Sequence, residues 1–211
     1  MKKNGVSVSV VIILLFSIIF LFFGISYSIF TYFGEGMTNN VIETGRIIFS
    51  YSDAFGGGNG INIINAFPIS DSMGKILAGE GEYFDFSVSA TTSNSDLAYE
   101  IAVKASDDST LDPKYVKIYL TAFEGSDEKE VPLISSNDGI VTYDSLLDTN
   151  NSILSGKSIY YGSVKAGEVA YGKKFRLRMW VAMPDSDDFD YDLISNKTFS
   201  LKVNVAASSI N

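Results

Sequence analysis

Apolar and polar residues alternate along most of the chain from residue 45 onward. This period of two is typical of β-strands that bury one face. The clearest strands are predicted at Glu82–Ala90, Leu97–Ala105, Tyr115–Phe123, Lys174–Met183 and Thr198–Ala206. The side chains predicted to point inward from these strands are Phe84, Phe86, Val88, Ala90, Leu97, Tyr99, Ile101, Val103, Ala105, Val116, Ile118, Leu120, Phe175, Leu177, Met179, Val181, Phe199, Leu201, Val203 and Val205.

Four further segments show a shorter or less regular alternation. They are Arg46–Ser52, Ile61–Ala66, Gly139–Tyr143 and Ser158–Val164. The pattern therefore predicts about nine strands, with helix confined to a turn or two between residues 144 and 154. Strands and helices do not alternate, so a parallel nucleotide-binding sheet is excluded. We predict an all-β fold, an antiparallel β-sandwich of the jelly-roll or immunoglobulin-like kind, because two half-apolar sheets bury each other's faces.

A different pattern occupies the N-terminus, where no charged residue stands between Lys3 and Glu35. As a helix, Val6–Phe30 would be about 37 Å long, which exceeds the roughly 30 Å of a bilayer's hydrocarbon core. Lys2 and Lys3 would hold its start in the cytoplasm and leave the rest of the chain outside. One N-terminal hydrophobic helix is thus predicted ahead of the sandwich.

The same segment also fits a secretory signal peptide. Ser26 and Ser28 provide small residues at the −3 and −1 positions for cleavage before Ile29. A third interpretation is a pilin-type leader cut near Gly5, although Val10 stands where such a leader is followed by an acidic residue.

All three interpretations leave the folded part of the chain outside the membrane, in the extracellular space or at the cell surface. In the membrane-helix and signal-peptide interpretations, residues 1–28 are the membrane anchor or signal peptide. Residues 29–44 are then an extended segment, and residues 45–211 are the sandwich domain. If the helix is retained, the N-terminus is cytoplasmic and the C-terminal domain is outside.

Composition removes several classes of function. The 211-residue chain has no Cys and no His, so disulfides, thiol nucleophiles, thiolate zinc sites and imidazole bases are excluded. Its 25 acidic residues outnumber 16 basic ones, and a net charge of −9 without a basic run opposes nucleic-acid binding. Carboxylates are plentiful, but no pair is singled out as general acid and base, so we expect neither an enzyme nor an organic cofactor.

The densest acidic cluster, "MPDSDDFDYD", offers a candidate calcium site. Its carboxylates repel one another unless water or a cation lies between them, and Ca²⁺ accepts such ligands. The helix-loop-helix calcium pattern fails here, because Leu193 and Phe199 stand where it needs Gly and Glu. A solvated loop without metal is the alternative. The candidate ligands are Asp185, Asp187, Asp188, Asp190 and Asp192.

A candidate ligand face lies on the strand that contains "RLRMW". Arg176, Arg178 and Trp180 share the side opposite the predicted core, where they could stack on a sugar ring or hold a partner's carboxylates. Alternatively, Trp180 is covered by a second layer and the two arginines are its solvated neighbours.

The segment after the signal-cleavage position has strong β-propensity. Its residues are all aromatic or β-branched, which favours an extended conformation. After cleavage it would be a free apolar strand at the mature N-terminus, and such strands tend to pair with other chains. We therefore predict an assembly strand formed by Ile29, Phe30, Thr31, Tyr32 and Phe33.

Several stretches resemble the TasA and camelysin group of exported bacterial proteins. "YFGEG" at 32–36 is similar to the segment that starts the mature chain in that group, and "SNSDLAYEI" at 93–101 is similar to its central motif. The resemblance implies an exported sandwich that, in TasA-like members, polymerises into fibres of the biofilm matrix. In such fibres the N-terminal segment of one subunit adds as a strand to the next. The metallopeptidase label of camelysin-type members does not transfer, because the chain has no His ligands.

We predict an exported structural protein of the cell surface or extracellular matrix, a self-assembling fibre subunit that donates its N-terminal segment as a strand. One alternative is a membrane-anchored surface module that binds carbohydrate or protein; a pilin-like subunit is another. An intact Val6–Phe30 helix in the membrane fraction would favour the binding module. Ile29 as the mature N-terminus would exclude it.

Overall fold

A computed structural model describes eleven stretches of the chain. The predicted N-terminal helix and the cleavage residues Ser26, Ser28 and Ile29 lie outside them. Within the described part, no helix has the length and apolar character needed to cross a membrane. The described residues are 31–35, 40–44, 47–53, 60–64, 67–79, 82–92, 94–136, 139–151, 154–168, 171–184 and 189–210.

The described residues form twelve β-strands and little helix. One short α-helix, α1 (Asp71–Gly74), and three 3₁₀ turns at Pro113–Tyr115, Tyr143–Ser145 and Tyr191–Leu193 complete them. The strands are β1 (Thr31–Glu35), β2 (Asn40–Thr44), β3 (Ile47–Asp53), β4 (Gly60–Ile64), β5 (Tyr83–Thr92), β6 (Asp96–Ala105), β7 (Val116–Glu124), β8 (Asp127–Glu130), β9 (Ile140–Thr142), β10 (Lys157–Val164), β11 (Tyr171–Val181) and β12 (Thr198–Ile210).

The strands make two antiparallel sheets. Sheet I has the order β1-β12-β6-β10, and β4 lies beside β12 on the same edge as β1. Sheet II has the order β2-β3-β5-β11-β7-β8, and β9 also pairs with β7. Strand β5 belongs to sheet II and β6 to sheet I, so the turn between them switches sheets rather than closing a hairpin.

Apolar side chains from both sheets form one core. The predicted inward-facing residues are buried, except Ala105, which is half-buried and packs against the core. Aromatic rings meet inside it, with the centroids of Phe86 and Phe175 5.3 Å apart in a stacked arrangement. The prediction of an all-β antiparallel fold with two sheets around a shared core is confirmed. The choice between a jelly-roll and an immunoglobulin-like arrangement stays a prediction.

The alternation of apolar and polar residues did not predict that β1, β2 and β8 belong to the sheets. Strand β8 has the sequence "DEKE" and all four residues are exposed, so it has no buried face to produce a period of two. Such a short, charged strand is a common form for the edge of a sheet, because it discourages pairing with other chains. Strands β1 and β2 lie in the segment predicted to be extended, and they pair with β12 and β3 respectively.

Candidate functional site

Strand β1 closes part of one edge of sheet I. It runs antiparallel to β12, with Thr31 opposite Ser208 and Glu35 opposite Asn204. The other edge of β12 pairs with β6, and β4 pairs with the first part of β12. Among the described residues, β12 is the only strand that pairs with β1. Five residues of backbone pairing with one neighbour therefore hold β1 in its sheet.

Part of the predicted assembly strand can be placed. Thr31, Tyr32 and Phe33 lie in β1, whereas Ile29 and Phe30 are outside the described residues. The register puts Tyr32 opposite Ala207 and Phe33 opposite Ala206, and both of these alanines are buried.

On the outer face of sheet II, charged side chains are paired with one another. The Asp85 carboxylate accepts hydrogen bonds from Arg176 Nε at 2.6 Å and Nη2 at 2.9 Å, and Lys174 Nζ lies 3.1 Å away. Glu128 pairs with Arg178 and accepts a hydrogen bond of 2.6 Å from Thr121 Oγ1. These groups belong to three neighbouring strands and to β8, so the charges fasten the edge strand β8 onto the sheet.

The two carboxylates of this network are stabilised in their ionised form. Burial alone would raise the pKa of Asp85, but hydrogen bonds from Arg176 and Lys174 outweigh it and hold the pKa below its usual value. The pKa of Glu128 is lowered in the same way, because bonds from Arg178 and Thr121 outweigh its desolvation. The side chain of Asp85 is only 1% exposed, so removing its charge would deprive Arg176, itself 17% exposed, of its nearest carboxylate.

The predicted ligand face is thus engaged within the chain. Arg176 binds Asp85 and is 17% exposed, whereas Arg178 binds Glu128 and is 5% exposed. Arg178 Nε also donates to the Leu77 carbonyl at 2.7 Å. Trp180 is 2% exposed and lies under a second layer. Binding of a sugar or carboxylate to this face stays a prediction, and it would require these side chains to leave their present partners.

The second layer over Trp180 is formed by residues 67–79. Ser70 caps α1 by accepting a hydrogen bond from Met73 N, and Gly74 then packs directly on the indole. A Cβ on Gly74 would lie 2.3 Å from ring carbons of Trp180, so this position requires glycine for close approach. An ion pair between Lys117 and Asp71, at 2.7 Å, also holds the segment against sheet II.

Next to this layer lies a cavity of about 250 Å³. It opens where the chain leaves β4 and crosses to the end of β11. Most of its lining side chains are apolar, whereas Asn62, Glu82 and the indole nitrogen of Trp180 are polar. Trp180 Nε1 is buried, and it finds no acceptor in the part of the chain that the structure describes. The lining residues are Asn62, Ile63, Ile64, Phe67, Ile69, Leu77, Glu82, Met179, Trp180 and Val181.

The acidic loop can be placed only in part. Asp185, Asp187 and Asp188 lie outside the described residues. Asp190 Oδ1 accepts a hydrogen bond from the backbone of Asp192 and so caps a 3₁₀ turn. Within the described stretches, no group of three or more acidic side chains could hold a metal ion. Calcium binding by this loop stays a prediction.

Sequence reasoning did not single out Asp85, Glu128 or the cavity. Asp85 stands opposite Arg176 on the neighbouring strand, and that relation exists only once the register of β5 and β11 is set. The cavity is formed by residues from two sheets and a connecting segment, and no local motif signals such a site.

Comparisons with known proteins add little to this geometry. The sequence matches no family model and no curated protein. Among solved structures, the chain is similar to the K1 cleaved adhesin domain of Lys-gingipain from Porphyromonas gingivalis W83. The sequence identity is 11% and the TM-score 0.23, over 86% of this chain and 99% of that chain. A backbone likeness at this TM-score carries no argument about function.

We predict that Asp85→Asn lowers the free energy of unfolding at neutral pH by about 3 kcal/mol, because Asp85 is buried and Arg176 loses its nearest charge partner. The folded-state pKa of Asp85 is depressed, so its stabilisation is present above the unfolded value of about 3.9 and is lost as the pH falls through the folded value. In urea unfolding at several pH values, the free energy of unfolding should therefore fall more steeply with decreasing pH for the parent protein than for the variant.

The matched control for this experiment is Asp96→Asn. Asp96 also pairs with a lysine, Lys165, but that lysine is 77% exposed, and exposed pairs contribute little. Equal stabilities of the two variants at neutral pH would contradict the role given to Asp85.

We predict that Gly74→Val displaces the second layer from Trp180 and lowers the free energy of unfolding by about 2 kcal/mol. Trp180 is the single Trp of the chain, so its fluorescence emission should shift to longer wavelength as the indole meets water. Gly172→Val is the control, because a Cβ at Gly172 meets no atom within 4 Å and should leave the emission unchanged. An unshifted emission in Gly74→Val would disprove the close packing.

Proposed function

We propose that this chain is an exported structural protein of the cell surface or extracellular matrix, whose subunits polymerise by exchanging their N-terminal strands. The observation that carries the proposal is the pairing of β1 with β12 at the edge of sheet I. In the polymer, β1 of one subunit would occupy the same place on β12 of the next. The resemblance of "YFGEG" and "SNSDLAYEI" to TasA-like proteins agrees with this proposal.

Exchange needs little new interaction energy. A β1 strand from another copy offers β12 the same hydrogen bonds and the same side chains as the chain's own β1, so the two pairings are equivalent. The difference between the monomer and the polymer then lies in the connection between β1 and β2, and in the protein concentration. A strand bound to one neighbour over five residues has few bonds to break before it can exchange.

Without any β1, the edge of β12 would have unpaired backbone groups. Residues Asn204 to Ala207 of β12 are buried next to β1, and their outer backbone groups would face water or another chain. An unpaired edge of this kind recruits an extended segment wherever one is available. The edge thus accepts either the chain's own β1 or that of a neighbour.

We expect the exported protein to form fibres visible by electron microscopy, with Ile29 as its N-terminal residue. Phe33→Pro should abolish the fibres, because Phe33 is the middle residue of the five-residue strand β1, and proline there fixes φ and removes one of its few amide donors. Phe33→Val should retain them, because valine also favours a strand.

Circular dichroism of both variants checks that the sheets remain. A parent protein that stays a soluble monomer under every condition tested would defeat the proposal. So would fibres formed by Phe33→Pro to the same extent as by the parent.

The second candidate function is a surface binding module for a carbohydrate or a protein. The cavity beside Trp180 favours it, because a pocket with an apolar lining and a few polar groups is a usual form for a binding site. A retained N-terminal helix would anchor such a module in the membrane, whereas a free Ile29 would not.

A further inference from the structure

The cavity beside Trp180 meets two strands along their backbone edges. Its lining includes three consecutive residues of β4, Asn62 to Ile64, and three of β11, Met179 to Val181. Side chains alternate along a strand, so a space that touches consecutive residues approaches the strand from its edge. The cavity therefore lies between two strand edges and not on the face of a sheet.

The two edges differ in how far they are paired within the described part of the chain. Strand β4 pairs with β12, and among the described strands β12 is the only one hydrogen-bonded to it. Strand β5 follows β11 only as far as Tyr83 opposite Arg178, whereas β7 continues on the far side to Val181. The Ile69 backbone amide donates to the Val181 carbonyl at 3.1 Å.

The mouth of this cavity is apolar and accessible. Phe67 is 85% exposed and Ile64 68% exposed, and both line the cavity. Large exposed apolar side chains at the rim of a pocket indicate contact with a ligand or partner. The volume of about 250 Å³ admits one large apolar side chain with room around it.

One charge at the cavity has no opposite partner within the described stretches. Glu82 lines the space, and its Oε2 accepts hydrogen bonds from the Ala78 and Gly79 amides at 3.2 and 2.6 Å. Glu82 makes no ion pair with a Lys or Arg among the described residues. The described residues that line the cavity include no Lys or Arg either, so the site favours a cationic partner.

We propose that this corner binds an extended peptide from a partner protein, one that carries a large apolar residue beside a Lys or Arg. The peptide backbone adds along the free edge of β4, the apolar side chain enters the cavity, and the basic side chain reaches Glu82. This proposal deepens the second candidate function. It does not depend on strand exchange, because β1 pairs with a different stretch of β12.

Three capped peptides test the proposal on the exported protein. The first is Lys-Thr-Val-Phe-Val-Thr-Lys, and the second replaces both lysines by Glu. The third carries N-methyl groups on the first valine and on the adjacent phenylalanine, whose amides point to opposite edges of an extended peptide. The fluorescence of Trp180, the single Trp, reports binding at the cavity. We expect the first peptide to bind about fivefold tighter than the second, the difference expected for one exposed ion pair. The N-methylated peptide should not bind, because it cannot pair with a strand edge.

Two variants locate the site. Glu82→Gln should remove the preference for lysine over glutamate peptides while binding continues. Phe67→Ser should weaken the first peptide, and the high exposure of Phe67 means that the fold does not depend on it. Phe67→Ser should leave any fibres intact, and Phe33→Pro should leave peptide binding intact, so the two proposals fail separately.

Several results would overturn the peptide site. One is equal binding of the lysine and N-methylated peptides, which would exclude backbone pairing. Another is a parent protein whose Trp180 fluorescence responds to indole or toluene but to none of the peptides, which would make the cavity a small-molecule site. A lysine preference that persists in Glu82→Gln would exclude Glu82 as the charge partner.

Discussion

Sheet I depends on the backbone of one long strand. Strand β12 spans Thr198–Ile210 and must find partners for the hydrogen-bonding groups along both edges. Strand β6 satisfies one edge, whereas the other is divided between β4 and β1. Strand β1 thus completes an edge of sheet I, and the other strands of that sheet follow it in the sequence. This arrangement pairs the first described strand with the last one, and it underlies the proposed exchange between copies.

The outer face of sheet II is covered by ion pairs and by residues 67–79. Asp85, Arg176, Glu128 and Arg178 would be costly to bury singly, but together they satisfy one another. Residues 67–79 cover the neighbouring Trp180 and end near the cavity. The two proposed surfaces therefore lie at different places: β1 on the edge of sheet I, and the peptide site at the corner between the sheets.

Much of the core was predictable because a period of two needs no knowledge of partners. Phe86, Val103 and Leu201 are buried where alternation puts them. The same rule put Asp85 and Arg178 on the strand face opposite the core. Both are buried nevertheless, because a covering layer and a cross-strand ion pair arise from distant parts of the chain. Strand β1 was predictable as a strand because it begins with Thr31, Tyr32 and Phe33, which are β-branched or aromatic. Its partner β12 was not, since backbone pairing is open to any free edge.

The central claim is that β1 pairs with β12 of another copy in fibres. The chain has no Cys, so Thr31→Cys and Ser208→Cys introduce one pair at directly opposite positions of the register. Opposite residues of antiparallel strands are close enough for a disulfide. When two tagged proteins, each with one of these substitutions, are assembled together and oxidised, strand exchange predicts disulfide-linked dimers that carry both tags. Fibres that form from this mixture without such dimers would contradict it.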